Sequence, residues 1–174
     1  SNGQLGVVRG YLANAEKVRS QGVEVDFSVR PSERFTAYVN GAYTDATYVR
    51  FIDAPCPPEL AGGSDSPANC DISGQVLPGV SKWAFSYGVE ANAPVGLLGK
   101  DGEIYAGYDG SYRSRFSSNP SASIYTYVDA YELSNFRIGF RTEDGFNIYG
   151  WVRNAFDSEY FDQLNFGPSN TGLI

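Results

Sequence analysis

Hydrophobic and polar side chains alternate one by one along much of this chain. From Trp83 to Asn92 the odd positions read Trp, Phe, Tyr, Val and Ala, and the even positions read Ala, Ser, Gly, Glu and Asn. Val23, Val25, Phe27 and Val29 alternate in the same way with Glu24, Asp26, Ser28 and Arg30. Ile104, Ala106, Tyr108, Tyr112 and Phe116 stand against Glu103, Asp109, Arg113 and Arg115, while Phe136, Ile138 and Phe140 oppose Arg137 and Arg141. Period two is the signature of a strand with unlike faces, and no segment holds a helical period for long. Along 146–156 the alternation blurs, and the pattern assigns no faces there.

The pattern predicts about seven strands, over 4–13, 18–30, 35–51, 81–94, 103–117, 127–142 and 146–162. Their connections differ in kind. Residues 31–34, 95–102 and 142–145 are short turns, 52–80 is long, 117–126 is medium and rich in Ser, Asn and Pro, and a polar tail starts near 163. Short turns at one end and longer loops at the other are the organisation of an antiparallel up-and-down transmembrane β-barrel. Several of these strands would be more than twice the ~5–6 residues usual in soluble sheets. Trp83, Tyr127, Tyr131, Tyr160 and Phe161 fall near strand ends, where interfacial aromatic girdles belong. A soluble antiparallel sandwich also alternates apolar-in and polar-out, and it is the competing reading.

Composition sharpens this picture. The chain has 174 residues, 15% of them aromatic, with 20 Gly, so strands and turns are favoured over helices. No apolar run approaches the ~18 residues of a transmembrane helix, and no signal-like segment is present, which places any targeting segment outside these residues. The net charge of −7 argues against nucleic acid as a partner. With no His and two Cys, the chain cannot by itself build a Ser-His-Asp triad, a Cys-His pair, or a His-ligated or four-thiolate zinc site. No P-loop or dinucleotide fingerprint occurs, so neither a cofactor nor an enzyme activity is expected.

Several stretches resemble the TonB-dependent outer-membrane receptors. Asn14 to Asp26, with Gly22-Val23-Glu24, is similar to that family's Asn…Gly-Val-Glu strand, and Ala42-Tyr43-Thr44-Asp45-Ala46-Thr47-Tyr48 to the motif that follows it. Leu133 to Phe140 resembles the first strand of the penultimate hairpin. Val152-Arg153-Asn154-Ala155-Phe156-Asp157-Ser158-Glu159-Tyr160 resembles the late Val-x-Asn-Leu-Phe-Asp-x-x-Tyr motif, with Ala155 in place of Leu. The matches cover about residues 14–161 in the family's order. The resemblance implies an all-β fold in which residues 1–174 form about the last third of a barrel of about 22 strands, with the plug domain and final strand outside the chain. It implies an outer-membrane location and a parent protein that imports a scarce, bulky ligand. An iron–siderophore is the commonest such ligand, with haem, a cobalamin or an oligosaccharide as the others. The partners implied are the lipid bilayer, the plug and, through the plug, TonB. A secreted sandwich that binds carbohydrate and a passive porin are the alternatives.

Candidate site residues follow from both lines. The loops 52–80, 117–126 and 163–174 are the ligand side, with Asp53, Glu59, Asp65, Asp71 and Tyr125 as candidate contacts. No Lys or Arg lies between Arg50 and Lys82, so this loop either receives a cationic or metal-bearing ligand or is a solvated acidic surface. Its carboxylate spacing defines no calcium site. Cys56 and Cys70 form a disulfide if the loop is extracellular, closing a loop worth roughly 3 kcal/mol, against free thiols or metal ligation. Glu24, Asp26, Asp109, Arg113, Arg115, Arg137 and Arg141 share the polar face, either as contacts for a plug or as partners across neighbouring strands. Gly22, Glu24, Asp45, Asn154, Asp157 and Tyr160 carry the resemblance and are read as structural. Asn154 and Asp157 are expected to end a strand and fix the next turn.

Overall fold

The computed structural model of the chain describes residues 15–60, 67–121 and 123–164. Six long strands follow each other in one antiparallel sheet: β1 (Lys17–Ser32), β2 (Phe35–Arg50), β3 (Trp83–Leu97), β4 (Lys100–Arg113), β7 (Tyr131–Arg141) and β8 (Asn147–Val152). Two short strands, β5 (Phe116–Ser117) and β6 (Tyr127–Val128), pair with each other in the connection between β4 and β7. Neighbours in sequence are neighbours in space, as in an up-and-down barrel wall. Among the described residues, the outer edges of β1 and β8 have no strand beside them, so the wall is open on both sides.

Register separates the two faces. Ala37, Val89, Tyr108 and Phe136 stand in one cross-strand row, and Ala91, Ala106 and Ile138 in another, all on the apolar side. Val25 is 58% exposed and Ile138 57%, although both lie mid-strand. Among the described residues, no second sheet covers this side. A sandwich would bury it, so the competing reading fails: an apolar face this extensive without a protein layer is a lipid face. No described helix is long and apolar enough to cross a membrane; the strands supply the apolar span.

Aromatic rings tile the outer half of that face. Tyr43, Trp83, Phe85 and Tyr112 form one contiguous series, with centroids 4.7–6.1 Å apart. Tyr87, Tyr108, Phe136 and Phe156 form a second. Glycines make room for them. A Cβ on Gly110 would sit 2.6 Å from the Tyr87 ring, and one on Gly41 would sit 2.9 Å from the Phe85 ring.

Several boundaries differ from the sequence-based expectation. The stretch 95–102 is mostly strand, because β3 and β4 pair down to Leu97 and Lys100 around a two-residue turn. Leu98 and Gly99 there both adopt positive φ (56° and 74°), the backbone twist that a two-residue hairpin needs. The strand expected over 103–117 ends at Arg113, and that expected over 127–142 joins the sheet only at Tyr131. Arg115 therefore leaves the wall; it pairs with Asp129 at 3.5 Å and lies over the Tyr127 ring in the outer connection. The strand expected over 146–162 stops at Val152, where Asn154 (φ 48°) and Asp157 (φ 52°) turn the chain. In β8, Ile148, Gly150 and Val152 share the apolar face, while Asn147, Tyr149 and Trp151 face the polar side. The expected strand 4–13 lies outside the described residues.

Candidate functional site

The polar face and the outer loops are the two places where chemistry-bearing side chains gather. On the polar face, β3, β4 and β7 bring five charges together. Glu90 accepts from Arg137 Nη2 at 2.9 Å and from Arg141 Nη1 at 3.1 Å, and Arg141 also reaches Glu103 at 2.5 Å. Asp109 lies 3.5 Å from Arg137 Nη1 and accepts from Asn135 Nδ2 at 2.8 Å. Arg141 additionally stacks over Tyr105, 4.6 Å from its centroid. Gly107 leaves the space for Arg137, since a Cβ there would come within 2.7 Å of its Nε. The cross-strand reading thus holds for Asp109, Arg137 and Arg141. Arg113 points elsewhere, donating to the Gly79 carbonyl at 2.8 Å and to Ser81 Oγ at 3.1 Å. Glu24 and Asp26 stand on the same face of β1, and no ion pair links either to a described cation.

Above the wall, β2 outlasts its partner. Its pairing with β3 ends at Tyr43 opposite Trp83. Beyond that point residues 44–54 are paired by the returning end of their own loop: Tyr48 N–H donates to the Gln75 carbonyl, Ile72 N–H to Phe51, Leu77 N–H to Ala46, and Ala54 and Cys70 exchange two backbone bonds. Tyr48, Phe51, Ala54 and Ile72 close into a small buried core, with Leu77 and Ala15 against it. Burying Ile72 alone contributes ~1.5–3 kcal/mol. Cys56 and Cys70 are joined by a disulfide across a Cα separation of 5.0 Å. The described part of the long loop is therefore a folded unit anchored on β2.

The second outer connection is folded as well. Phe116 and Val128 are buried, and Arg113 lies 4.3 Å over the Phe116 ring. Asn119 Oδ1 accepts from Ser121 N–H at 3.0 Å, an Asx turn of the kind the Ser-Asn-Pro-Ser run favours. Ser123 caps the 3-10 turn Ile124–Thr126, its Oγ accepting from Tyr125 N–H. Tyr125 is exposed at that turn.

Among the described residues, three contacts tie the outer segments together. Glu59, in the 3-10 turn Pro58–Leu60, accepts from Ser123 Oγ at 2.8 Å and from Ile124 N–H at 3.0 Å. Gly79 N–H donates to the Ser117 carbonyl at 2.7 Å. Ser118 Oγ donates to the Leu164 carbonyl at 2.9 Å and accepts from Leu164 N–H at 3.0 Å. Burial pushes the Glu59 carboxyl up, but the hydrogen bonds from its own backbone, Ile124 and Ser123 outweigh it and hold it below its usual range.

The remaining loop candidates are dispersed. Asp71 accepts from both the hydroxyl (2.5 Å) and the amide (2.9 Å) of Ser73, and these bonds, with Arg50 more distant, lower its pKa. Asn69 Nδ2 donates to Asp53 at 3.4 Å. Asp65 lies outside the described residues, as does most of 163–174. No group of three or more His, Cys, Asp or Glu converges among the described residues. Of the residues that carry the family resemblance, Gly22 packs under the Tyr43 carbonyl and Asp45 accepts from Gln21 at 3.3 Å. Asn154 closes its turn with side-chain bonds to Ser158 N–H (3.0 Å) and carbonyl (3.1 Å), while Asp157 N–H donates to the Asn154 carbonyl. Tyr160 stacks on Tyr131 at 4.8 Å, and by register Tyr131 is on the polar side with Arg113. The lipid-side girdle is therefore Tyr43, Trp83, Phe85 and Tyr112, without Tyr131, and Tyr127 is instead part of β6. The sequence reading missed the roles of Ser118 and Ser123. The only signal for them is the Ser/Asn/Pro turn composition, which marks a loop without naming its partners.

Wall and loops have a counterpart among known families. The family described as TonB dependent receptor-like, beta-barrel matches residues 1–155. The chain belongs to this family. Among solved structures it is similar to the ferric yersiniabactin uptake receptor FyuA from Yersinia pestis, with a TM-score of 0.65 at 14% identity. That superposition covers 90% of this chain and 21% of FyuA, so the chain spans about a fifth of the receptor it matches. At such identity the likeness establishes the fold. No curated protein matches the chain.

Proposed function

We propose that residues 1–174 are part of the barrel of an outer-membrane receptor that actively imports a scarce, bulky ligand, an iron–siderophore before haem, a cobalamin or an oligosaccharide. The observation that carries this reading is the family match over residues 1–155 on a wall with one lipid face and one polar, charge-paired face. In this reading the polar face lines the lumen and meets the plug of the same protein. The folded outer loops, with Tyr125 and the acidic 52–80 segment, receive the ligand. TonB acts through the plug, so energy reaches the ligand path and no bond in the ligand is made or broken. FyuA is a ferric yersiniabactin uptake receptor, which favours an iron chelate among the ligand classes.

The test is 55Fe uptake by cells that lack their own ferric-chelate receptors and express the full-length protein, supplied with a panel of ferric siderophores. Uptake of at least one chelate that stops when TonB is deleted is the expected result. Uptake that persists without TonB would mark a passive pore. No uptake of any iron chelate, with TonB-dependent uptake of haem, cobalamin or an oligosaccharide, would move the ligand class and leave the receptor reading standing.

A further inference from the structure

We infer that Glu59 is a positioning residue: it staples the 52–80 loop to the 117–126 connection, so that Leu60, Ile124 and Tyr125 form one preset apolar contact surface at the outer face. The inference deepens the receptor reading and rests on it for the purpose of that surface. The geometry comes first. Each Glu59 carboxylate oxygen receives one hydrogen bond from the other segment, Oε2 from Ser123 Oγ and Oε1 from Ile124 N–H. Ser123 is fully buried and caps the 3-10 turn that carries Tyr125. A carboxylate gripping a backbone N–H and the hydroxyl beside it fixes both the position and the rotation of that turn.

Among the described residues, the rest of the outer face lacks such a restraint at this point. The disulfide closes the 52–80 loop on itself, from Cys56 to Cys70, and does not touch the second connection. The bond from Gly79 to Ser117 and those from Ser118 to Leu164 hold the base of the second connection, near β5. Only Glu59 reaches its tip among the bonds described. Flanking the staple are Leu60, Ile124 and Tyr125, 54%, 67% and 53% exposed. Apolar side chains held at a loop tip by a charge-assisted bond are ordered before any ligand arrives, which lowers the ordering cost of binding.

Glu59 therefore serves the site by shaping it, with both oxygens engaged inside the protein. Two measurements on the full-length receptor in detergent micelles test this, and neither needs a ligand, so their failure is separate from failure of the import reading. The first is amide hydrogen exchange. In Glu59→Ala the Ile124–Thr126 amides should exchange at least tenfold faster, with residues 70–77 unchanged. Glu59→Gln keeps a carbonyl acceptor and should recover much of the protection. The second is the distance distribution between spin labels at positions 60 and 125, expected to be narrow in the parent and in Glu59→Gln and broad in Glu59→Ala. Unchanged exchange in Glu59→Ala would overturn the staple. Faster exchange with an equally narrow distance distribution would overturn the positioning role. Faster exchange across 70–77 as well, with no recovery in Glu59→Gln, would show a general collapse of the loop and refute the inference.

Discussion

Adding one methyl group at Gly22 should damage this wall far more than adding it at Gly150. At Gly22 the new Cβ would lie 2.2 Å from the Tyr43 carbonyl oxygen and 3.3 Å from Thr44 Cα. Close C···O contacts in sheets stop near 3.3 Å, so the gap is short by about 1 Å. The obstacle is backbone, and it belongs to the register in which Val23 pairs with Tyr43 and Gly22 with Thr44. Relief must come from shifting one strand against the other. Overpacking of this kind costs ~1–3 kcal/mol, and a contact that no side-chain rotation can relieve belongs at the upper end. Loss of the glycine's unfolded-state entropy returns ~0.4–1 kcal/mol, leaving a net destabilisation of ~1–2.5 kcal/mol for Gly22→Ala. At Gly41 the added Cβ would meet only the Phe85 ring, at 2.9 Å, and the ring can tip towards lipid; a net cost within ~1 kcal/mol is expected. At Gly150 nothing lies within 4 Å, so Gly150→Ala should be neutral or slightly stabilising. The assay is guanidinium unfolding of the full-length receptor in phospholipid vesicles, followed by tryptophan fluorescence. Three variants within 0.5 kcal/mol of one another, or Gly150→Ala the worst, would refute the β1–β2 register.

The lipid face predicts a depth dependence: Ile138→Arg, mid-strand, should cost ~2–4 kcal/mol in the same assay, and Trp83→Arg, at the interface, ~0–1 kcal/mol. Equal, near-zero costs would mean that this face meets water. On the polar face, a double-mutant cycle between Glu90 and Arg137, both partly exposed, should give a coupling of ~0.5–1 kcal/mol that shrinks in high salt. Zero coupling at low salt would show that water solvates the two charges separately. In the turn 142–145, bonds from Lys100 and then Thr142 lower the Asp144 pKa from 3.8 to about 2. A depressed carboxylate pKa stabilises the fold above the ordinary value, and the contribution is lost as pH falls through about 2. Carbon-13 titration should place the Asp144 midpoint near 2 and move it towards 4 in Lys100→Gln. A midpoint near 4 in the parent would exclude the Lys100 contact.

What the sequence determined by itself was the alternation, and with it most of the wall. Period two fixes which residues share a face, so Val23, Val25 and Phe27 oppose Glu24 and Asp26 whatever the strand pairs with. The order of short and long connections then fixed antiparallel neighbours. Alternation stays silent on where a strand leaves the sheet. That is decided by what lies beside it: β2 runs on to Arg50 because β1 pairs with it on one edge and residues 70–77 return along the other, and β4 stops at Arg113 because Arg115 turns to Asp129 and Tyr127. The faces of β8 were illegible because Tyr149 and Trp151 are aromatic yet stand on the polar side, and only pairing with Gly139 and Arg137 assigns them. The same holds for the outer loops. An acidic, disulfide-capable loop could be read from Cys56, Cys70 and the carboxylates between Arg50 and Lys82. That Glu59 grips Ser123 and Ile124, 64 and 65 residues away, could not. Local periodicity comes from the backbone and is written in every few residues. Contacts between distant loops depend on how the whole wall sets their bases, and no short stretch of sequence contains that information.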